Sequence, residues 1–463
     1  MDRAERLGQG KILPLLLEFS IPAIVGMLVQ ALYNVVDRIF VGNGVGPLGL
    51  AGLTVVFPAM LVQMAFSMLI GLGATALISI RLGEGRQEEA EQIMSNAFGM
   101  LVLLSLVLTV SGLVFLDPLI RLLGASEAVL PYSRDYLSII LYGGVFQAIG
   151  FGLNHMIRAQ GNPRTAMATM LIGAITNTIL DPVFIFVFGW GIKGAAFATI
   201  ISQIISATWV VAFFLRGKGQ LHLDLRNSYK IRWPVVLQII SIGFAPFAMQ
   251  LAASLLNLIL NQSLAFYGGD LAISAMGIVF SVNTLFMMPI FGINQGSQPI
   301  IGFNYGAKKY GRVKETLFYA IAGATSIVTL GFLATRFMPV QLVSLFGRHD
   351  AELMSLGARA MKTVMMMFPI IGLQIVGANY FQAVGKPKKA AFLSLSRQVL
   401  LLIPMLLVLP RIWGLTGVFL AFPVSDIGST IITTMLLRGE LVHLKEQEEL
   451  EKVCFVAKTQ PER

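Results

Sequence analysis

Long apolar segments constrain this chain more than any other feature of its sequence. Twelve of them follow one another between short polar or Gly/Pro-rich stretches, and each has the roughly 20 residues that a membrane-spanning helix needs. They lie at residues 12–39, 50–80, 93–116, 133–157, 166–189, 194–215, 234–266, 272–303, 315–338, 358–384, 390–410 and 415–437.

Charged residues are scarce in the chain as a whole. Only 13% of the residues are charged, whereas soluble domains carry about 25%. Such a chain cannot cover a water-facing surface, which argues against a soluble enzyme, a disordered regulator or a nucleic-acid-binding protein. The apolar runs are also longer than the roughly ten-residue alternating strands of an outer-membrane barrel. The sequence therefore predicts an all-α polytopic membrane protein with twelve transmembrane helices in the lipid bilayer.

The basic residues predict its orientation. The net charge is +10, and with the N-terminus placed inside, 24 of the 34 Lys and Arg residues fall in inner loops and tails. Cytoplasmic loops of membrane proteins carry such an excess. The net charge is then an orientation signal rather than a sign of nucleic-acid binding, and both termini are predicted to be cytoplasmic.

The chain also repeats itself. A constant shift along the sequence aligns Trp190-Gly191 with Trp413-Gly414, and a shift larger by one position aligns residues 158–164 with residues 382–388. Six predicted spans separate the two copies, so both have the same topology, as in transporters with parallel repeats. We expect two parallel six-helix lobes, a linker and a tail, at 1–216 (N-terminal lobe), 217–233 (cytoplasmic linker), 234–438 (C-terminal lobe) and 439–463 (cytoplasmic tail).

Acidic residues inside apolar helices are the first candidates for function, because charge is expensive in lipid. Asp37 lies in the first span with Tyr33, and it shares one helical face with Gln30 and Asn34 at i, i+4 and i+7. A polar face of this kind must contact protein or a wet cavity. The alternative is that Asp37 lies near the outer interface and contacts only Arg38 or water.

The fifth span carries the second acid. Asn177 and Asp181 are four residues apart and therefore share a face, and Pro182 disturbs the backbone hydrogen bonds beside them. A carboxylate, an amide and a freed carbonyl form a site for a hard cation, or for a carboxyl group that takes up a proton. Thr199 of the next span can add a hydroxyl. The alternative is a proline kink whose polar groups are satisfied between helices.

A third membrane acid, Asp426, lies in the last span, and no neighbouring residue in the sequence supplies it with a partner. The shift that aligns Trp190 with Trp413 places Leu260 and Pro404 opposite Asp37 and Asp181. Acid chemistry is thus expected in the N-terminal lobe, with a role for Asp426 left open.

Methionine is frequent in several spans. Flexible thioether side chains suit surfaces that bind varied apolar ligands, although they also serve as ordinary core residues. The candidates for lining a substrate cavity are Met64, Met68, Met287 and Met288.

No catalytic motif is present in the sequence. The P-loop pattern is absent, the four histidines are dispersed, and a single cysteine excludes an intrachain disulfide. We therefore predict a protein that is not an enzyme and needs no cofactor, with no metal apart from Na⁺ if that is the coupling ion.

Three motifs together resemble the multidrug and toxic-compound extrusion (MATE) transporters, and within that family the bacterial MepA-type branch. They are Gln30-x-x-Tyr33-Asn34-Val35-Val36-Asp37-x-x-x-Val41-Gly42, Asn177-x-x-x-Asp181-Pro182 and Arg158-Ala159-Gln160-Gly161-Asn162-Pro163. The resemblance covers nearly the whole chain, including the duplication and the central linker. The acids that the other main bacterial branch has in its C-terminal lobe are missing here.

The resemblance implies a secondary antiporter of the bacterial cytoplasmic membrane. Such a protein exports cationic or amphipathic drugs in exchange for H⁺ or Na⁺ by alternating access, and we expect it to act as a monomer. The family's N-lobe cation site corresponds to Asp37, Asn177, Asp181 and Thr199. One alternative is a lipid-linked precursor flippase, which would place several basic residues in its cavity, whereas Arg397 is the only basic residue clearly within the inner half of a helix here. Another is an ion channel or a non-transporting scaffold.

Overall fold

The computed structural model describes residues 3–217, 219–223, 232–344 and 351–459. These residues are predominantly helical and contain no strand, so the predicted all-α fold is confirmed. Nine of their helices are long and apolar enough to cross a membrane, or ten if a pair bent by 53° is counted as a single span. The chain is therefore a multi-pass membrane protein.

The helices follow the predicted segments closely. Before the linker they are α1 (Arg3–Gln9), α2 (Ile12–Gly44), α3 (Pro47–Gly83), α4 (Gln87–Val114), α5 (Leu116–Leu122), α6 (Leu130–Ala159), α7 (Pro163–Pro182) and α8 (Gly191–Leu215), with a π-helical turn at Val183–Val187. After it they are α9 (Trp233–Gly306), α10 (Tyr310–Phe337), α11 (Pro339–Ser344), α12 (Ala351–Val364), α13 (Phe368–Ala383), α14 (Pro387–Leu395) and α15 (Ile403–Thr459), with a π-helical segment at Ser396–Leu402.

Two of these helices are interrupted at a glycine. Gly269 in α9 has φ 63°, and Gly414 in α15 has φ 54°. Only glycine adopts this left-handed conformation without steric cost, so each position marks a turn between two spans. If α9 and α15 are each divided at this glycine, the ten spans become twelve. The predicted count of twelve transmembrane helices is reached only with this division.

The chain forms two compact units. Unit 1 comprises Met1–Arg6 and Ile21–Gln250, and unit 2 comprises Leu7–Ser20 and Leu251–Arg463. Helices α2 and α9 therefore each begin in one unit and end in the other.

Glycine residues allow the helices of unit 1 to pack closely against one another. A Cβ atom built on Gly71 of α3 would lie 2.9 Å from the Cα of Gly152 in α6, so these two backbones are in contact. A Cβ on Gly194, near the start of α8, would lie 2.8 Å from the carbonyl carbon of Phe184 in the π-helical turn. This contact holds α8 against the end of α7 and brings Thr199 of α8 towards Asp181.

Two further close approaches are related by the sequence repeat. In unit 1, a Cβ on Gly73 of α3 would lie 3.0 Å from the backbone nitrogen of Gly243 in α9. In unit 2, a Cβ on Gly296 of α9 would lie 2.8 Å from the backbone nitrogen of Ser20 in α2. The shift that aligns Trp190 with Trp413 also relates Gly73 to Gly296 and Ser20 to Gly243. In each repeat a glycine therefore allows close backbone packing. Gly73 packs against the initial part of α9, and Gly296 packs against the initial part of α2.

The predicted linker and tail differ in how far the structure describes them. Residues 218 and 224–231 of the predicted linker 217–233 lie outside the described residues. Its beginning is held by the Oε1 atom of Gln160, which accepts hydrogen bonds from the backbone N–H groups of Gln220 at 2.9 Å and Leu221 at 3.2 Å. The predicted tail continues α15, and an ion pair of 2.5 Å joins Glu448 to Lys314 of α10.

Candidate functional site

Two carboxyl groups meet inside unit 1. Asp37 of α2 and Asp181 of α7 lie within hydrogen-bonding reach of each other. Asp181 is 0% exposed, and Asp37 is half-buried. Among the described residues, neither Oδ1 of Asp37 nor Oδ2 of Asp181 has a hydrogen-bond partner, although both atoms are buried. Two carboxylates at this separation repel each other unless a proton or a cation lies between them.

Asn177 and Thr199 complete one side of the pair. The Asn177 amide donates hydrogen bonds to Oδ1 of Asp181 at 3.4 Å and to Oγ1 of Thr199 at 3.3 Å. The Thr199 hydroxyl in turn donates to the backbone carbonyl of Ala195 at 3.0 Å. This arrangement leaves Oδ1 of Asn177 buried with no hydrogen-bond partner in the described chain. The four residues placed at the site by sequence are therefore together in the structure.

The shape of α7 explains why Asn177 and Asp181 reach the same place. Their four-residue spacing stacks them on one face, as predicted. Immediately after Pro182 the backbone changes to the π-helical turn Val183–Val187, and the N–H of Trp190 donates to the carbonyl of Phe184 at 3.0 Å. Helix α7 thus ends directly beyond Asp181, and the π-helical turn leads into the connection to α8, which begins at Gly191.

One residue of the site was not found from the sequence. Tyr136 of α6 is 3% exposed and lies beside Thr199, within electrostatic range of both carboxyl groups. It is a tyrosine in an apolar helix, so neither spacing nor charge distinguishes it. The packing of α6 against α8 is what places it at the site.

The predicted polar face of α2 reaches the site only in part. Tyr33 is half-buried and within electrostatic range of Asp37 and Asp181. Gln30 and Asn34 are exposed, even though they lie on the same stripe of the helix.

Apolar residues enclose the carboxyl pair on one side. Tyr136 belongs to a buried cluster that also contains Val41 of α2, Ile185 of the π-helical turn and Ala195 of α8. Exclusion of water from such a site strengthens the interaction of its oxygens with a cation. Three buried, unpartnered oxygens, on Asp37, Asp181 and Asn177, fit either a proton shared by the carboxyl groups or Na⁺ bound by oxygen ligands.

No cluster of three His, Cys, Asp or Glu side chains suited to a metal ion occurs among the residues that the structure describes.

Asp426 has a partner that its local sequence does not show. Nε of Arg397, in the π-helical segment before α15, donates to Oδ1 of Asp426 at 2.7 Å. The third membrane acid is therefore neutralised within unit 2.

The four candidate methionines differ in burial. Met64, Met68 and Met288 are half-buried, and Met287 is buried in this conformation. Their part in a substrate cavity stays a prediction.

Comparisons with known proteins agree with the repeat and with the fold. A family model described as MatE matches residues 22–183 and again residues 246–408. The second match begins where the sequence repeat places the counterpart of the first, by the shift that aligns residues 158–164 with residues 382–388. Together the two matches cover more than half of the chain.

Relatives named as multidrug export proteins align over about nine-tenths of the chain. The multidrug export protein MepA of Staphylococcus haemolyticus (strain JCSC1435) is 28% identical over 418 residues, which are 90% of this chain and 91% of that protein. MepA of Staphylococcus aureus (strain MSSA476) is 26% identical over 411 residues, which are 89% of this chain and 90% of that protein.

Solved structures share the architecture. The MATE multidrug transporter DinF-BH in complex with R6G is 40% identical with a TM-score of 0.88, over 95% of this chain and 98% of that one. An outward-facing multidrug resistance MATE family transporter of the MOP superfamily, 24% identical, matches in fold with a TM-score of 0.89 over 95% of this chain and 98% of that one. The resemblance inferred from the motifs is confirmed, and the chain belongs to the MATE family of membrane transporters.

Proposed function

We propose that this protein is a secondary active multidrug efflux transporter. It exports cationic or amphipathic compounds in exchange for H⁺ or Na⁺, and the coupling ion binds at Asp37, Asn177, Asp181 and Thr199. The proposal rests above all on the close approach of two membrane carboxyl groups, those of Asp37 and Asp181, inside unit 1. The relatives that are named multidrug exporters support the substrate class.

The ion acts on the contact between α2 and α7. With the site empty, repulsion between Asp37 and Asp181 favours separation of the two helices. A proton or Na⁺ between the carboxyl groups removes the repulsion and favours their approach. Helix α2 belongs to both units, so a change in its position is felt in both. Ion and drug then bind differently to two states of the protein, which is the requirement for alternating access.

The membrane potential supplies enough free energy for export. One elementary charge that crosses the membrane contributes about 2.3 kcal/mol per 100 mV, or about 3.5 kcal/mol at roughly 150 mV. A tenfold concentration ratio corresponds to about 1.4 kcal/mol, so one charge sustains a drug gradient of roughly 300-fold.

Proteoliposomes that contain only this protein test the proposal. Rhodamine 6G added to them should dissipate either a pH gradient or a sodium gradient, and the gradient that responds identifies the ion. Asp37→Asn and Asp181→Asn should each abolish the response. Asp270→Asn, an exposed acid of α9, serves as the matched control and should respond fully. Full efflux by both site variants would refute the assignment of the site.

The same measurement separates the alternatives. A channel passes ions without added substrate, and a scaffold passes none under any condition. A lipid-linked precursor flippase moves its lipid but not the dye. Pyrophosphate binding by a flippase requires a cluster of basic residues whose charge is not already neutralised. Among the described membrane helices of unit 2, Arg397 is bound to Asp426 and does not form such a cluster.

The topology completes the proposal. Both termini are cytoplasmic, the protein resides in the bacterial cytoplasmic membrane, and it works as a monomer. Cysteine labelling of intact cells, with Cys454 replaced by Ser and single cysteines placed in successive loops, measures the orientation.

A further inference from the structure

A second polar site lies halfway along the membrane helices of unit 2. Arg397 is ten residues beyond Pro387, where α14 begins, which is roughly 15 Å along the helix. Asp426 is twelve residues beyond Gly414, or roughly 18 Å. Since the hydrocarbon core is about 30 Å thick, the ion pair is near its middle.

The two partners of this ion pair differ in their surroundings. Asp426 is 2% exposed, while the side chain of Arg397 is 26% exposed. A guanidinium group exposed at this depth must face water or protein rather than hydrocarbon, because its transfer into lipid is strongly unfavourable. The carboxylate is therefore the buried anchor of the pair, and the guanidinium is the group that remains accessible.

Their contact uses only a small part of the guanidinium group. Nε donates to Oδ1 of Asp426 at 2.7 Å. Within the described residues, the two terminal nitrogens of Arg397 make no hydrogen bond. These nitrogens form the planar fork that binds a carboxylate through two parallel hydrogen bonds.

The helix around Arg397 is irregular, and two polar atoms near the ion pair in sequence have no hydrogen-bond partner in the described chain. Arg397 lies in the π-helical segment Ser396–Leu402, and such segments occur often at functional sites. Oε1 of Gln398, the next residue, and Oγ1 of Thr430, one turn beyond Asp426, are buried and have no hydrogen-bond partner in the described chain. Both atoms are enclosed by protein in this structure; the Thr430 hydroxyl can donate a hydrogen bond, whereas Oε1 of Gln398 only accepts one.

The fold itself does not require the ion pair. By the shift that aligns Trp190 with Trp413, the positions of Arg397 and Asp426 correspond to Ala174 and Gln203 in the first repeat. The same pair of helices therefore packs in unit 1 with no charge at either position. A brace needed by the architecture would be expected in both repeats.

We propose that Arg397 is a recognition site for the carboxylate group of amphipathic, zwitterionic substrates. Asp426 holds the guanidinium in place through Nε, and the two terminal nitrogens receive the substrate oxygens. This inference builds on the proposed export function, yet it concerns binding, which is measured without an ion gradient.

Two dyes that differ only in the critical group provide the test. Rhodamine 19 carries a free carboxylate, and rhodamine 6G is its ethyl ester. Fluorescence anisotropy with the purified protein measures the Kd of each. Arg397→Gln should weaken rhodamine 19 binding by about tenfold to a hundredfold, as expected for loss of a charged hydrogen bond, and should leave rhodamine 6G within about threefold. Arg411→Gln, an exposed arginine of α15, is the control and should change neither dye.

The partner residue makes the test sharper. Asp426→Asn removes the counter-charge, so rhodamine 19 should bind more tightly and rhodamine 6G more weakly. A purely structural brace predicts the same loss for both dyes in both single variants. Arg397→Gln combined with Asp426→Asn leaves no unpaired charge to impair folding, and it should still lose rhodamine 19 selectively. Equal responses of the two dyes, or no binding of rhodamine 19 to the wild type, would overturn the proposal. Failure of wild-type proteoliposomes to transport rhodamine 6G would count against the export function instead.

Discussion

Replacing Gly243 by alanine should destabilise the protein by about 2 kcal/mol, the balance between overpacking and helix propensity. A Cβ atom at this position of α9 would lie 3.0 Å from the Cα of Leu69 and closer still to its carbonyl group, whereas ordinary contacts are 3.4–4 Å. The obstacle is backbone of α3, which cannot rotate away as a side chain can. Overpacking of this extent costs about 3 kcal/mol, and the higher helix propensity of alanine returns about 1 kcal/mol.

Gly277 provides a matched control on the same helix. It is exposed, and no atom lies within 4 Å of a Cβ built there. Gly277→Ala should therefore gain up to about 1 kcal/mol from helix propensity alone. The two variants carry the same chemical change in α9, yet their free energies of unfolding should differ by about 3 kcal/mol.

Titration with SDS in mixed micelles, followed by circular dichroism, measures these free energies of unfolding. Gly296→Ala offers an independent check, because it meets the backbone of Ser20 at the corresponding place in unit 2. It should fall on the destabilised side with Gly243→Ala. If Gly243→Ala proved as stable as Gly277→Ala, the backbone contact between α3 and α9 would not be as tight as described.

Three further substitutions test the site and its support. Tyr136→Phe, which removes the hydroxyl beside Thr199, should raise the ion concentration for half-maximal efflux about fivefold, the effect of one hydrogen bond of roughly 1 kcal/mol. Thr199→Val keeps the shape but removes the acceptor of the Asn177 amide, and the same efflux assay should show a similar shift. Glu440→Gln should lower the free energy of unfolding in SDS by about 1–3 kcal/mol, because this buried carboxylate is the ion-pair partner of Lys386 and a second lysine. Glu446→Gln, at an exposed carboxylate, should leave stability unchanged. An unaltered ion dependence in Tyr136→Phe, or equal stability of the two glutamate variants, would contradict these expectations.

The elements of the fold could be predicted because the signals that define them are local. The length and apolarity of a segment decide whether it spans the membrane, and the regular spacing of Asn177 and Asp181 decides that they share a face. The bend between α12 and α13 could not be predicted from the sequence. A single predicted apolar segment, 358–384, covers the second half of α12 and all of α13, and hydrophobicity alone does not show where a helix turns within it.

The site was only partly predictable, because its remaining members come from contacts between distant segments. Tyr136 reaches Thr199 through the packing of α6 on α8, which depends on small residues in both helices. Arg397 reaches Asp426 across 29 positions of sequence and a turn at Gly414. No local sequence pattern indicates that these two residues pair, so the sequence showed no partner for Asp426.

On the proposed mechanism, the contrast between the two units limits how many ions can drive a transport cycle. A carboxylate that already binds a guanidinium gains little from a proton or Na⁺, because the incoming cation must displace a charge that is already in place. Asp426 is in that condition, whereas among the described residues neither Asp37 nor Asp181 forms an ion pair with a basic side chain, although Arg38 lies within electrostatic range of Asp37. Counting membrane acids would give three coupling groups, but only the pair in unit 1 responds to an ion on the proposed mechanism. At most two protons, or one Na⁺ shared by both carboxylates, then enter for each substrate exported.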